Sequence, residues 1–138
     1  MDYRRHYVKR FFGHAVSIPF IWLPFLVLIV LDLCAEIYHQ VCFPIYNIPK
    51  VKRSEYILIF DRNKLQYLNW FEKINCMYCG YVNGLLAYQK EIAGRTEKYW
   101  CGVRHENKPG FKPQPHQIDQ NFAQFGDGDD FKKKYIKL

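Results

Sequence analysis

The chain has 138 residues, 49% hydrophobic and 18% aromatic, and its twenty Lys and Arg outnumber thirteen Asp and Glu for a formal charge of +7. That apolar content excludes a wholly disordered chain, and the length leaves room for one small domain plus appendages. The positive balance suits anionic lipid, nucleic acid or an acidic partner protein.

Residues 1–14 form a basic flank carrying Arg4, Arg5, Lys9 and Arg10. Residues 15–31 follow without a single charge, a run at the lower edge of what crosses a bilayer as a helix. A small domain cannot easily cover a helix that is apolar on every side, so residues 15–42 read as a membrane anchor helix with a polar continuation. The cations before it stay cytoplasmic by the positive-inside rule. Pro19 and Pro24 each remove a backbone donor, so a spanning helix and a kinked, re-entrant one both satisfy the sequence. The Arg4-Arg5 pair resembles a twin-arginine export signal, but Tyr3 replaces the usual Ser or Thr. No small-x-small cleavage site follows the apolar run, which predicts a retained anchor.

Asp32, Glu36 and His39 recur at i, i+4 and i+7, on one stripe of a continuing helix. Glu36-x-x-His39 is the helical pair that di-iron carboxylate bundles use, and two copies of Glu36, His39 and Glu91 in a homodimer would complete such a site. The plainer expectation is a helix surfacing into water. Cys34 and Cys42 lie too far apart on a helix for a disulfide and read as buried, reduced thiols. Pro44 and Pro49 mark an irregular connection, and Lys50, Lys52 and Arg53 after it suit anionic headgroups. Basic and aromatic residues also suit single-stranded nucleic acid, but no stacking platform is visible, so nucleic acid is the weaker partner.

Residues 43–105 read as a small, helical, metal-stabilised domain. Residues 55–60, Glu-Tyr-Ile-Leu-Ile-Phe, predict a short strand. From Lys64 to Ala93 the apolar residues recur in steps of three and four, predicting an amphipathic helix, or two helices broken near Cys79, with Asn63 as N-cap and Gly94 as stop. Gly80 and Gly84, four apart, would give a continuous helix a flat patch for another backbone. Cys76-x2-Cys79, then Cys101-x3-His105, has the ligand number and local spacing of a closed Cys3His zinc site, with iron as the alternative metal. Such a site would be structural, since four protein ligands leave no position for water. Residues 106–138, rich in Pro and Gly, predict an extended arm that Phe111, Phe122, Phe125 and Phe131 could dock.

The segments Asp32-Leu-Cys-Ala-Glu-Ile-Tyr-His39, Glu72-Lys-Ile-Asn-Cys-Met-Tyr-Cys-Gly-Tyr81, Arg95-Thr-Glu-Lys-Tyr-Trp-Cys101 and Phe125-Gly-Asp127 resemble a group of small uncharacterised bacterial membrane-associated proteins. The resemblance implies a bacterial source and no activity. The sequence thus leads to a mainly α protein of the bacterial inner membrane, N-terminus cytoplasmic. Its expected role is an accessory or scaffold subunit of a membrane protein complex or homo-oligomer rather than an enzyme. The rival expectation is a membrane-bound metalloenzyme or redox protein built on Glu36 and His39.

Overall fold

The computed structural model describes residues 11–136, so Arg4, Arg5, Lys9 and Arg10 lie outside the described residues. Four helices account for most of the fold: α1 (Phe11–Ile45), α2 (Trp70–Trp100), α3 (Pro115–Asp119) and α4 (Gly128–Tyr135). α1 runs without interruption through Pro19, Pro24 and Pro44. The re-entrant bend that the prolines allowed is therefore absent, and the helix ends in a turn where Asn47 takes positive φ.

α1 and α2 lie side by side and parallel. Phe25 meets Tyr78 and Tyr81, His39 meets Tyr88, and Tyr46 meets Tyr99. Parallel neighbours need a connection that travels the full length back, and residues 46–69 supply it. This return segment passes Phe43, His39 and Asp32 of α1 in that order, then Gly84 and Gly80 of α2. It contains two short 3-10 turns, Arg53–Glu55 and Arg62–Lys64, joined by extended backbone.

The strand expected at residues 55–60 does not form, and no β-strand occurs among the described residues. The extended stretch has helices on its flanks and no second strand to ladder with. Its carbonyls rest on glycine instead. A Cβ at Gly80 would lie 2.6 Å from the Leu58 carbonyl oxygen, and one at Gly84 would lie 2.5 Å from that of Tyr56. The Gly80-x3-Gly84 patch thus receives the chain's own return backbone, a close approach that only glycine permits.

α2 is one continuous helix rather than two. It starts later than Asn63, at a capping box in which Asn69 accepts from the Glu72 amide (2.8 Å) and Glu72 accepts from that of Asn69 (3.0 Å). Such a cap stabilises a helix start by about 1 kcal/mol. The helix also runs past Gly94, which packs beneath the His116 ring, and stops where Gly102 adopts φ +64°.

The core sits where the C-terminal halves of both helices meet the return segment: Phe43, Val51, Leu85, Tyr88 and Ile92. Phe43 and Val51 belong to it equally, so α1 and the residues after it share one core. The tail is no extended arm. Val103 and Ala123 form a single parallel bridge, Phe122 is fully buried, and Asp127 caps α4 by accepting from the Asp129 and Asp130 amides.

Candidate functional site

The stripe of Asp32, Glu36 and His39 faces inward, toward α2 and the return segment. Arg53 reaches across from the return and grips Asp32 with both guanidinium nitrogens, at 2.5 and 2.6 Å. It also lies 3.7 Å from Glu36 and packs over the Tyr88 ring. That pairing holds the Arg53 guanidinium above its ordinary pKa, through the Asp32 hydrogen bonds first of all. Arg53 was expected on lipid headgroups; the carboxylates opposite draw it inward instead. Lys52 stays exposed, and Lys50 donates to Gln40.

Two tyrosines complete the arrangement from α2. Tyr81 donates to Asp32 (2.8 Å), and Tyr88 donates to Glu36 (2.9 Å). Gln40 gives Glu36 a further hydrogen bond at 2.6 Å. The Val51 amide donates to His39 Nε2 at 2.9 Å, which assigns that nitrogen as the unprotonated one. His39 Nδ1 then donates to the Tyr88 hydroxyl, 3.0 Å away. His39 is 1% exposed and packs edge-on against Phe43.

This constellation is a clasp. Both carboxylates have donors, both imidazole nitrogens are engaged, and the guanidinium takes the place a metal cation would occupy among them. Its chemistry is to hold α1, the return segment and α2 in register while keeping a charged group compensated at low exposure. Glu91, expected as a possible fourth ligand, pairs along α2 with Arg95 at 2.8 Å and does not join the others. Arg95 in turn donates to the carbonyls of Pro49 and Lys50.

The four residues of the Cys3His pattern do not meet. Cys76 and Cys79 sit in the N-terminal third of α2, whereas Cys101 caps its C-terminus. At 1.5 Å per residue, Cys79 and Cys101 are about 33 Å apart, against a zinc–sulfur bond of about 2.3 Å. The intervening residues continue the helix instead of folding back. No group of three or more His, Cys, Asp or Glu able to hold a metal occurs among the described residues. Cys101 and His105 do share a groove with Glu97, Arg104 and Phe111 near the tail. All five cysteines are free, and Cys34 is exposed where a buried thiol was expected.

A second polar cluster had no counterpart in the sequence reading. Glu97 accepts from Gln117 at 2.6 Å and bonds His116 at 2.6 Å, tying α3 to the end of α2. The one available sign was Gly94, three residues before Glu97, where the absent side chain admits the His116 ring. Arg53, Tyr81 and Tyr88 were also missed as partners of the acidic stripe. They come from segments far away in sequence, and only an unneutralised acidic face beside a long apolar run hinted that a cation was needed.

The N-terminal half of α1 contrasts with the clasp. Among the described residues one helix, Ala15–Ile45, is long and apolar enough to cross a membrane, and its most apolar window is not buried by the rest of the protein. Leu26 and Val27 are 70% and 67% exposed. No family model, no curated protein and no solved structure matches the chain.

Proposed function

We propose that this chain is a membrane-embedded accessory or scaffold subunit of a bacterial inner membrane, without catalytic activity of its own. The observation that carries the reading is the uncovered apolar surface of α1. Leaving it in water costs about 25 cal/mol for each Å², whereas hydrocarbon removes that cost. The basic flank of residues 1–14 would stay cytoplasmic.

The accessory role is supported by how the polar groups are used. Asp32, Glu36, His39 and Arg53 are satisfied within the chain, with Tyr81, Tyr88, Gln40 and the Val51 amide, so they fasten the chain rather than face a substrate. The metalloenzyme reading on Glu36 and His39 gains no support, because ligation would require His39 to give up the Val51 amide or the Tyr88 hydroxyl. The test is extraction of membranes at alkaline pH from cells producing the protein. Retention in the pellet is expected, and Leu26→Lys with Val27→Lys should release most of it. An unaltered protein found in the soluble fraction would overturn the proposal.

A further inference from the structure

We infer that residues 56–60 of the return segment and the N-terminal half of α2 lie in the bilayer against α1, the one described helix apolar enough to cross by itself, so that the chain crosses three times: helix, extended segment, helix. The inference rests on the membrane reading above and changes what that reading implies about topology. A lone anchor would put everything after residue 45 on one side. Here, residues 61–69 would sit on the same side as the N-terminus, and residues from about 90 onward on the opposite side.

Three uncharged stretches carry the argument. Residues 15–31 of α1 are the first. Residues 56–60 of the return, bounded by Glu55 and Asp61, are the second, and residues 74–89 of α2, bounded by Lys73 and Lys90, are the third. Far apart in sequence, they come level in the fold: Trp22 and Phe25, Ile59, and Ile74, Met77 and Tyr78 line one cavity of about 280 Å³. Parallel helices make that alignment possible. The layer free of charge on all three is about 17 Å deep, the span of five extended residues, and flanking Lys and Arg can snorkel across the remainder.

The extended stretch has the side-chain pattern of lipid contact. Ile57 and Ile59 turn toward the helices, while Leu58 and Phe60 point outward and are 59% and 65% exposed. A strand with one face in water alternates apolar with polar; this one is apolar on both faces. Non-helical backbone at membrane depth must lie against protein; here the Leu58 and Tyr56 carbonyls lie against Gly80 and Gly84 of α2, while the amides of residues 58–60 have no hydrogen-bond partner among the described residues.

Three polar side chains of α2 in this layer bond within the protein, whereas Asn75, near the Lys73 end, has no such partner among the described residues. Tyr78 donates to the Ile21 carbonyl (2.6 Å), Asn83 to that of Cys79 (2.8 Å), and Gln89 to that of Leu31 (3.3 Å). At the end where the return reverses, Tyr67 and Trp70 are exposed beside Arg62, Lys64 and Lys73. Aromatic and basic residues together mark a headgroup boundary.

The test is labelling with a membrane-impermeant maleimide in sealed vesicles of both orientations. The five native cysteines are replaced by serine, and one cysteine is introduced at a time: Arg4→Cys, Lys64→Cys or Lys112→Cys. Lys64→Cys should label from the same face as Arg4→Cys, and Lys112→Cys only from the other. Labelling of Lys64→Cys together with Lys112→Cys, opposite Arg4→Cys, would overturn the three-pass arrangement while leaving a single anchor intact. All three labelling from one face would overturn it as well. Failure of the membrane reading itself has a different signature, namely protein that alkaline extraction releases. Should the cysteine-free chain not fold, trypsin on the unaltered protein in the same vesicles gives an independent answer. Cleavage after Arg62 or Lys64 from the N-terminal face supports the inference, and cleavage there only from the tail's face refutes it.

Discussion

The two halves of the α1–α2 pair are built on opposite principles. The C-terminal halves enclose Phe43, Val51, Leu85, Tyr88 and Ile92, and beside them the clasp of Asp32, Glu36, His39 and Arg53. The N-terminal halves meet through a few aromatic contacts, the two glycines of α2 receiving the return backbone instead, and leave most of α1 uncovered. The first half supplies its own apolar environment; the second depends on one from outside. One helix is therefore a core element in one half and an uncovered apolar surface in the other, and the change falls near Asp32, the first charge after the apolar run.

That contrast makes unequal demands on similar substitutions. The largest expected effect is Phe43→Ala, which empties a fully buried site and should cost about 3–5 kcal/mol. Leu26→Ala, equally apolar but without protein around it, should stay within about 0.5 kcal/mol. Denaturant unfolding of both in mild detergent measures the gap, and equal losses would dissolve the distinction. Next comes Gly84→Ala, whose new Cβ would meet backbone of the return at 2.5–2.8 Å and should cost about 1–3 kcal/mol. Gly13→Ala has open space and should gain up to about 1 kcal/mol from helix propensity, so the two glycine variants ought to shift the midpoint in opposite directions.

Asp32→Asn probes the boundary between the halves. It ends the charge pairing with Arg53, a side chain 40% exposed, so solvent limits the loss to about 1–2 kcal/mol. A double-mutant cycle with Arg53→Gln should return a coupling of that size; additive losses would show that the clasp adds nothing beyond its parts.

The smallest effect lies farthest from the apolar layer, in α4. Lys134 beside Asp130, with the Gln124 amide, holds that carboxyl below its ordinary pKa. A depressed folded pKa contributes stability that is present above the ordinary Asp value of about 3.9 and is lost as pH falls through the lowered one. Amide resonances of α4 should therefore shift in that acid range before the core does, and Asp130→Asn should abolish the early transition.

How far the sequence was legible follows from the range of each interaction. The placement of Asp32, Glu36 and His39 on one face followed from helical spacing alone, and the continuous α1 keeps it. The patch at Gly80 and Gly84 was equally visible, though not that residues 56–58 would occupy it. The Cys pattern misled because C-x2-C and C-x3-H are local signals, whereas convergence depends on whether 21 intervening residues turn back; they extend a helix instead. The tail's prolines and glycines suggested an open arm, but Phe122 and the Glu97, His116 and Gln117 bonds draw it onto the end of α2. The cations of residues 1–14 lie outside the described residues, so their place follows from sequence alone.

The sequence by itself determined the helical character and the uncharged length of α1, because both are properties of neighbours along one chain. Tertiary structure alone decided that the helices run parallel. That choice forces the return segment between them, delivers Arg53 to Asp32, and brings three uncharged stretches to one level. No local pattern encodes it. It depends on which buried surfaces fit, and the glycines of α2 fit the return backbone closely enough to fix the answer.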